Sequence, residues 1–240
     1  MQSFSLQKPG KKNKGTAYDT VLNYQPHNTL KVLEKRELTD STYILRLERK
    51  NIKFLAGQHI SLGLEEDNDT REYSVYSGER DDFIEVLIKE VQDGLVSKHL
   101  KKSEPGSLVK FDGPVGYFLI SEEDRKNKKF LFIASGTGIA PFHSFARSYP
   151  GLDFQILHGV RYAEEAYEKH AYDPERITLC TSKDDKGDYQ GRVTEYLKQN
   201  PVDKETHVYL CGNCEMIHDA YDILLDQGLP ADNLHSEVYF

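Results

Sequence analysis

Apolar and β-branched residues in the first half of the chain recur with the two-residue period of half-buried strands. Ile60, Leu62 and Leu64 alternate with Ser61 and Gly63 after the turn at Gly57-Gln58, and two β-rich stretches fill Leu30 to Leu47. Such alternation predicts antiparallel strands with one buried face. Phe83 to Val91 continues the pattern, and Ser107 to Asp112 follows a Pro105-Gly106 turn. Gly94 to Lys102 alone reads as helical in this half. Closely spaced strands with a single helix predict a small antiparallel barrel.

The rhythm changes after Gly113-Pro114-Val115-Gly116, and the charged run Glu122 to Lys129 reads as a linker. Phe130 to Ala134 is a continuous apolar run, the pattern of a strand buried on both faces. Ile139 to Tyr149 reads as a helix. Strand and helix then alternate through Phe154 to Val160, Ala163 to Tyr172, Ile177 to Cys180, Val193 to Lys198, Val208 to Cys211, Glu215 to Gln227 and Leu234 to Phe240. That alternation predicts a parallel sheet covered by helices on both faces. In the stretch 215–227, Met216, Ala220, Ile223 and Leu224 form one apolar stripe that packs on a core. The expected organisation is a tail over residues 1–27, a β-barrel domain over 28–121 and an α/β domain over 128–240.

A chain of 240 residues is long enough for two such cores. A net charge of −8 argues against nucleic acid, which requires a cationic footprint. No apolar run approaches the length of a membrane span. Three cysteines, with no secretory apolar region at the start, predict a reducing compartment and cytoplasmic location. The tail carries Lys8, Lys11, Lys12 and Lys14 without an acidic residue before Asp19, and reads as flexible. Lysines 98, 101 and 102, and 126, 128 and 129, form clusters that suit either a solvated face or an acidic partner.

Chemistry concentrates in a few short segments. Gly136-Thr137-Gly138 joins an apolar strand to a helix, where glycines admit close backbone approach and helix N–H groups can hold a phosphate. Pro141 fits the first helical turn, but it replaces the third glycine of the dinucleotide fingerprint, and a lone Gly-x-Gly is equally compatible with a plain tight turn. Arg71-Glu72-Tyr73-Ser74 has the alternation of an ordinary barrel strand. It also offers a guanidinium fork for pyrophosphate, an aromatic ring for stacking and a hydroxyl for a flavin ring nitrogen. Gly94-Leu95-Val96-Ser97 opens a helix and is a second candidate anion site. Cys211-Gly212-Asn213-Cys214 has dithiol spacing, but one pair without partnering His or Cys argues against zinc, and the surrounding element order is not that of a thioredoxin. His59, His99, His143, His158 and His218 form no ligand-spaced cluster and read as packing or surface residues.

Arg-x-Tyr-Ser at 71–74, Gly-x-x-Ser at 94–97, Gly-Pro-x-Gly-x-Phe at 113–118, Gly-Thr-Gly-Ile-Ala-Pro-Phe at 136–142, Cys-Gly at 211 and a terminal Glu-x-Tyr-aromatic occur in one order. This order resembles the ferredoxin/flavodoxin–NADP reductase family from about residue 29 to the end. The resemblance implies FAD on the barrel and NADP(H) on the α/β domain. It implies Arg71 on the FAD phosphates, Tyr73 and Ser74 at the isoalloxazine, main-chain contacts from Leu87, Ile88 and Lys89, and Gly94, Leu95, Val96 and Ser97 at the pyrophosphate. Thr137 would approach the flavin from the second domain, Tyr239 would stack on the ring and Phe240 would steady FAD. Ser74, Cys211, Glu237 and Tyr239 would form the reaction centre.

For the nicotinamide nucleotide, the resemblance implies Gly136, Thr137, Gly138, Cys211 and Gly212 along its path. Arg161, Ser182, Lys183 and Arg192 would meet a 2′-phosphate and Tyr189 the adenine. Lys183 stands where the resemblance implies an Arg, and Asp184 and Asp185 follow at once. The implied activity is electron transfer between NADPH and ferredoxin or flavodoxin, docked transiently by charge on a monomer. The alternatives are an NADH-linked flavin reductase, an oxygenase reductase component without its own iron–sulfur segment, and a non-catalytic electron-transfer subunit.

Overall fold

A computed structural model of the protein describes residues 28–64 and 69–239. The expected tail and Phe240 lie outside the described residues.

The first half forms β1 (Thr29–Thr39), β2 (Thr42–Glu48), β3 (His59–Gly63), β4 (Thr70–Ser74), β5 (Phe83–Lys89), the helix α1 (Leu95–Lys101) and β6 (Leu108–Val115). All of the strand pairings are antiparallel, in the order β4-β3-β6-β1-β2-β5. Inside, Leu30, Val32, Leu45, Leu47, Ile60, Leu62, Val75, Ile84 and Phe111 make one core, and α1 plugs its end with Val96 and Leu100. Strands β2 and β5 break the alternation. Ile44 and Leu87 point away from the barrel core into a second cluster shared with the other half of the chain. Both faces of these strands are therefore covered, which is why they read as near-continuous apolar runs.

The expected linker is partly a helix, α2 (Glu122–Asn127). Ser121 caps it by accepting from the Asp124 N–H at 3.0 Å, acidic residues fill its first turn, and Lys126 pairs with Glu122 at 2.7 Å. A charged run with its acids first and bases last is a helix signal as much as a linker signal.

The second half contains β7 (Phe130–Ser135), α3 (Ala140–Ser148), β8 (Phe154–Val160), β9 (Ile177–Thr181), β10 (Tyr189–Gln190), α4 (Val193–Gln199), β11 (His207–Asn213), α5 (Cys214–Asp226) and β12 (Leu234–Tyr239). Its parallel sheet runs β10-β9-β8-β7-β11-β12. Phe132, Phe142 and Phe145 fill one face together with Phe118, Ile120 and Ala56 from the first half. Ile133, Leu157, Val193, Leu210, Ala220 and Leu224 fill the other face beneath α4 and α5.

The helix expected over 163–172 is not there. Two short 3₁₀ turns, Ala163–Glu165 and Lys169–Ala171, flank Glu168 in the left-handed region at φ 49°. The helix-like composition yields to contacts with the barrel. Glu168 accepts from Arg36 Nη1 at 2.6 Å and from Tyr76 Oη at 2.9 Å, Tyr167 Oη meets Thr42 Oγ1 at 3.1 Å, and Glu165 pairs with Lys89 at 2.7 Å. A regular helix cannot turn all these side chains to one surface, so tertiary pairing overrides local propensity.

Candidate active site

Strands β4 and β5 stand at the two ends of the barrel order and meet through the bridge Val75–Val86. On the side of Ser74 and Leu87 they part. Among the described residues no ladder joins Arg71–Ser74 to Leu87–Lys89, so facing strand edges offer unpaired N–H and C=O groups across a seam. Beside it, Arg71 is exposed, Tyr73 is half-buried, and Val91 and Leu95 leave 58% and 61% of their surface open. The N-terminus of α1 at Gly94 has no side-chain cap. Ser97 spends its hydroxyl on the Val91 N–H at 3.2 Å, fixing that turn.

Ser74 lies at the inner end of the seam, 3% exposed. Its Oγ accepts from Tyr239 Oη at 2.7 Å and donates to Glu237 Oε2 at 3.0 Å. Pairing of β11 with β12 sets Cys211 beside Glu237, and the two-residue strand period puts Tyr239 on the same face. On the opposite side of Ser74, the β3–β4 register sets His59 next to it. His59 Nδ1 lies 3.6 Å from Glu237 Oε1, and its Nε2 lies 3.7 Å from Glu72 Oε2. Burial pushes the Glu237 carboxyl up, against the hydrogen bond from Ser74 and the neighbouring His59, which pull it down. Burial also raises the Cys211 thiol far above its ordinary value, so it is a neutral thiol rather than a thiolate.

A cleft of about 530 Å³ opens where β7, β8, β9 and β11 end, at the point where strand order reverses around β7. Gly136, Thr137 and Gly212 line it, while Gly138 and Cys211 pack against each other beneath. A Cβ on Gly138 would lie 2.2 Å from the Cys211 carbonyl oxygen, and one on Gly212 would lie 2.4 Å from Ser135 Oγ. Only glycine allows the two main chains to interlock this closely. Ser135 Oγ then accepts from the Asn213 N–H at 2.9 Å. Gly136, at φ +54°, has open space where a Cβ would be.

His158 supports this turn from beneath, with Nε2 donating to the Gly136 carbonyl at 2.9 Å. Burial lowers its pKa from 6.5 to about 4. Between these values the unfolded chain binds a proton that the folded protein refuses, so stability is intact above about pH 6.5 and falls towards pH 4. The expected loss from this residue is about 2 kcal/mol by pH 5. Urea denaturation at pH 7 and pH 5 checks this: His158→Gln flattens the drop by about that amount, whereas an unchanged drop removes the assignment.

Two family models match the chain, one for an oxidoreductase FAD-binding domain over residues 29–120 and one for an oxidoreductase NAD-binding domain over 132–222. The flavodoxin/ferredoxin–NADP reductase of Escherichia coli is 28% identical over 215 residues, covering 80% of this chain and 87% of that protein. The solved ferredoxin–NADP⁺ reductase of Neisseria gonorrhoeae, with bound FAD and NADP, superposes with a TM-score of 0.80 at 25% identity, covering 90% of this chain and 99% of that one. The chain belongs to the ferredoxin–NADP reductase family. It is an FAD- and NAD(P)-binding oxidoreductase with the two-domain fold of that family. The toluate 1,2-dioxygenase electron transfer component of Pseudomonas putida is also 28% identical, over 221 residues, and this chain spans 65% of its length. Among the described residues no helix is long and apolar enough to cross a membrane.

The residues present fit both nucleotides of the reductase family. The open β4/β5 seam can take the edge of a planar ring, with Arg71 and the uncapped start of α1 available to phosphates. The open space at Gly136, with Arg161 and Arg192 on the cleft wall, suits a phosphorylated nucleotide. The structure brings Lys89, Gly136, Thr137, Arg161, Ser182, Arg192, Gly212 and Tyr239 to one cleft. Lys183 and Tyr189 are not part of its wall. The Lys183 N–H is tied to the Arg161 carbonyl at 2.8 Å, and Tyr189 packs edge-on against Tyr196. Asp184 accepts from the Ala163 N–H at 2.9 Å and the Lys186 N–H at 3.2 Å, which ties its carboxylate to the loop main chain. Cys211 is buried behind Tyr239, whose ring lines the cleft in its place. His59, Glu72 and Glu165 were not among the sequence-derived candidates, since each reads as an ordinary polar strand or loop residue.

Proposed function

We propose that the protein is an NADPH-linked reductase that exchanges electrons with a one-electron carrier of the ferredoxin or flavodoxin class, in a reducing, cytoplasmic setting. Bound FAD supplies the chemistry, accepting a hydride from the nicotinamide and releasing single electrons. The chain supplies position and proton control. Arg71 and the start of α1 hold the FAD phosphates, while the main chain at Leu87–Lys89 and the side chains of Tyr73 and Ser74 border the ring. The buried line Tyr239–Ser74–Glu237 excludes water and keeps a proton-accepting carboxyl one hydroxyl away from the reacting atoms. The Cys211 thiol, neutral and covered by Tyr239, is a packing surface for the nicotinamide once that ring moves.

The observation that carries the NADPH assignment is that Arg161, Ser182 and Arg192 all line the cleft, which offers two guanidinium groups and a hydroxyl to a 2′-phosphate. Arg192→Ala is expected to raise KM for NADPH about ten- to a hundredfold, the worth of one charge-assisted contact, with little change for NADH. Equal losses with both nucleotides would make Arg192 structural.

A second reading, an NADH-linked reductase component of an oxygenase, is favoured by the equal identity to the toluate dioxygenase component. Reduction of cytochrome c through added ferredoxin or flavodoxin separates the readings. The proposed function requires NADPH-driven reduction that depends on the carrier. Turnover with NADH alone supports the second reading, and a flavoprotein reduced by neither nucleotide supports a non-catalytic subunit.

A further inference from the structure

The line of side chains at the reaction centre does not stop at Glu237. Tyr239 donates to Ser74 and Ser74 donates to Glu237, so both hydrogen bonds point towards one carboxylate. Beyond it lies His59, whose two ring nitrogens face two different acids. Nδ1 is 3.6 Å from Glu237 Oε1, and Nε2 is 3.7 Å from Glu72 Oε2. The side chains of Glu237 and His59 are 19% and 18% exposed, whereas that of Glu72 is 71% exposed. Burial thus falls away along the row, from Ser74 inside to Glu72 in water. Gly116 lies over the imidazole, with its missing Cβ only 3.0 Å from Nδ1, so this glycine leaves the ring room to turn.

We propose that His59 relays protons between the reaction centre and solvent, exchanging with Glu237 through Nδ1 and with Glu72 through Nε2. The inference rests on the reductase reading given above. A hydride brings two electrons and one proton equivalent, and two one-electron carriers remove only the electrons. One proton per turnover must therefore leave the buried centre. In the outward step the carboxyl of protonated Glu237 turns to bring its proton from the Ser74 side (Oε2) to the His59 side (Oε1), and its O–H bond breaks as N–H forms at Nδ1. The N–H at Nε2 then breaks as Glu72 takes that proton and passes it to water. Rotation of the ring, or exchange with water, restores the starting tautomer. The two gaps exceed hydrogen-bond length by a few tenths of an ångström, and each closes with a small turn of the imidazole. Among the described residues, the charged groups within 4 Å of the His59 ring nitrogens are Glu72 from β4 and Glu237 from β12. His59 acts through Glu237 and not on the reacting atoms.

Two measurements test this. The first needs no turnover: infrared titration of the Glu237 carboxyl, assigned by its loss in Glu237→Gln. His59→Gln is expected to shift that titration to higher pH, because the imidazole is one of the groups holding the carboxyl down. The second is chemical rescue in the FAD-loaded protein. His59→Ala is expected to reduce NADPH-driven turnover with a one-electron acceptor at least about tenfold. Added imidazole restores it, and across a series of substituted imidazoles the recovery follows the basicity of the added base. A residue that only packs would give neither result. An unmoved Glu237 titration, or a loss that no added base restores, overturns the relay. A wild-type protein that NADPH does not reduce overturns the reductase reading instead, while the infrared titration still reports on the His59–Glu237 pair.

Discussion

Ser74→Ala lowers the rate of flavin reduction by NADPH about a hundred- to a thousandfold while FAD remains bound. The expectation follows from where the hydroxyl sits. It is buried at the inner end of the seam and is the link between Tyr239 and Glu237. Its removal leaves a phenol and a carboxyl without their shared partner and, on the proposed reading, withdraws a hydroxyl beside the flavin. The loss of one preorganised donor at a reaction centre is of this size. The change is one oxygen atom, and the groups available to FAD phosphates, Arg71 and the start of α1, are untouched, so binding survives. Single-turnover stopped flow at saturating NADPH, with flavin content measured on the same sample, checks both halves. An unchanged rate removes Ser74 from the reaction centre, and loss of FAD makes its role structural.

Tyr239→Ser is expected to tighten NADP⁺ binding about tenfold and to narrow the preference for NADPH over NADH. The Tyr239 ring lines the nucleotide cleft, covers the Cys211 thiol and donates to Ser74. On the proposed reading it stands where the nicotinamide enters, and a nucleotide that enters displaces it. The displaced contacts, one aromatic packing surface and one hydrogen bond, amount to about 1–2 kcal/mol, which is roughly tenfold in affinity. With the ring gone, the nicotinamide competes with nothing, and the contribution of the 2′-phosphate contacts is a smaller part of what decides entry. Titration of the oxidised flavin spectrum with NADP⁺ and NAD⁺ reads the effect. If both binding constants stay where they were, the ring does not occupy the nicotinamide position.

Most of the architecture was legible because the physics behind it is local. Alternation at Ile60 to Leu64 and the apolar run Phe130 to Ala134 each report how many faces of a strand are covered. The region 163–172 misled because its composition favours a helix while its side chains are called to distant partners. Arg36, Thr42, Tyr76 and Lys89 lie far away in sequence, and no local signal announces them. The site was partly legible for the same reason. Gly138 and Gly212 were visible as motifs, but the need for both appears only when the two main chains interlock. Lys183 and Tyr189 rest on the resemblance alone: they do not line the cleft, and no local signal in the sequence tells whether they would reach a bound nucleotide. His59 looked like any outward-facing residue of an alternating strand. Its meaning depends on Glu72 across the β3–β4 hairpin and on Glu237 at the other end of the chain.

The most direct test of the central claim is anaerobic stopped-flow mixing of the purified yellow protein with NADPH and, in parallel, with NADH, followed at the flavin absorption band. The account predicts rapid bleaching by NADPH and much slower bleaching by NADH at equal concentration. Faster bleaching by NADH would contradict the nucleotide assignment, and a protein that neither nucleotide bleaches would contradict the reductase reading itself.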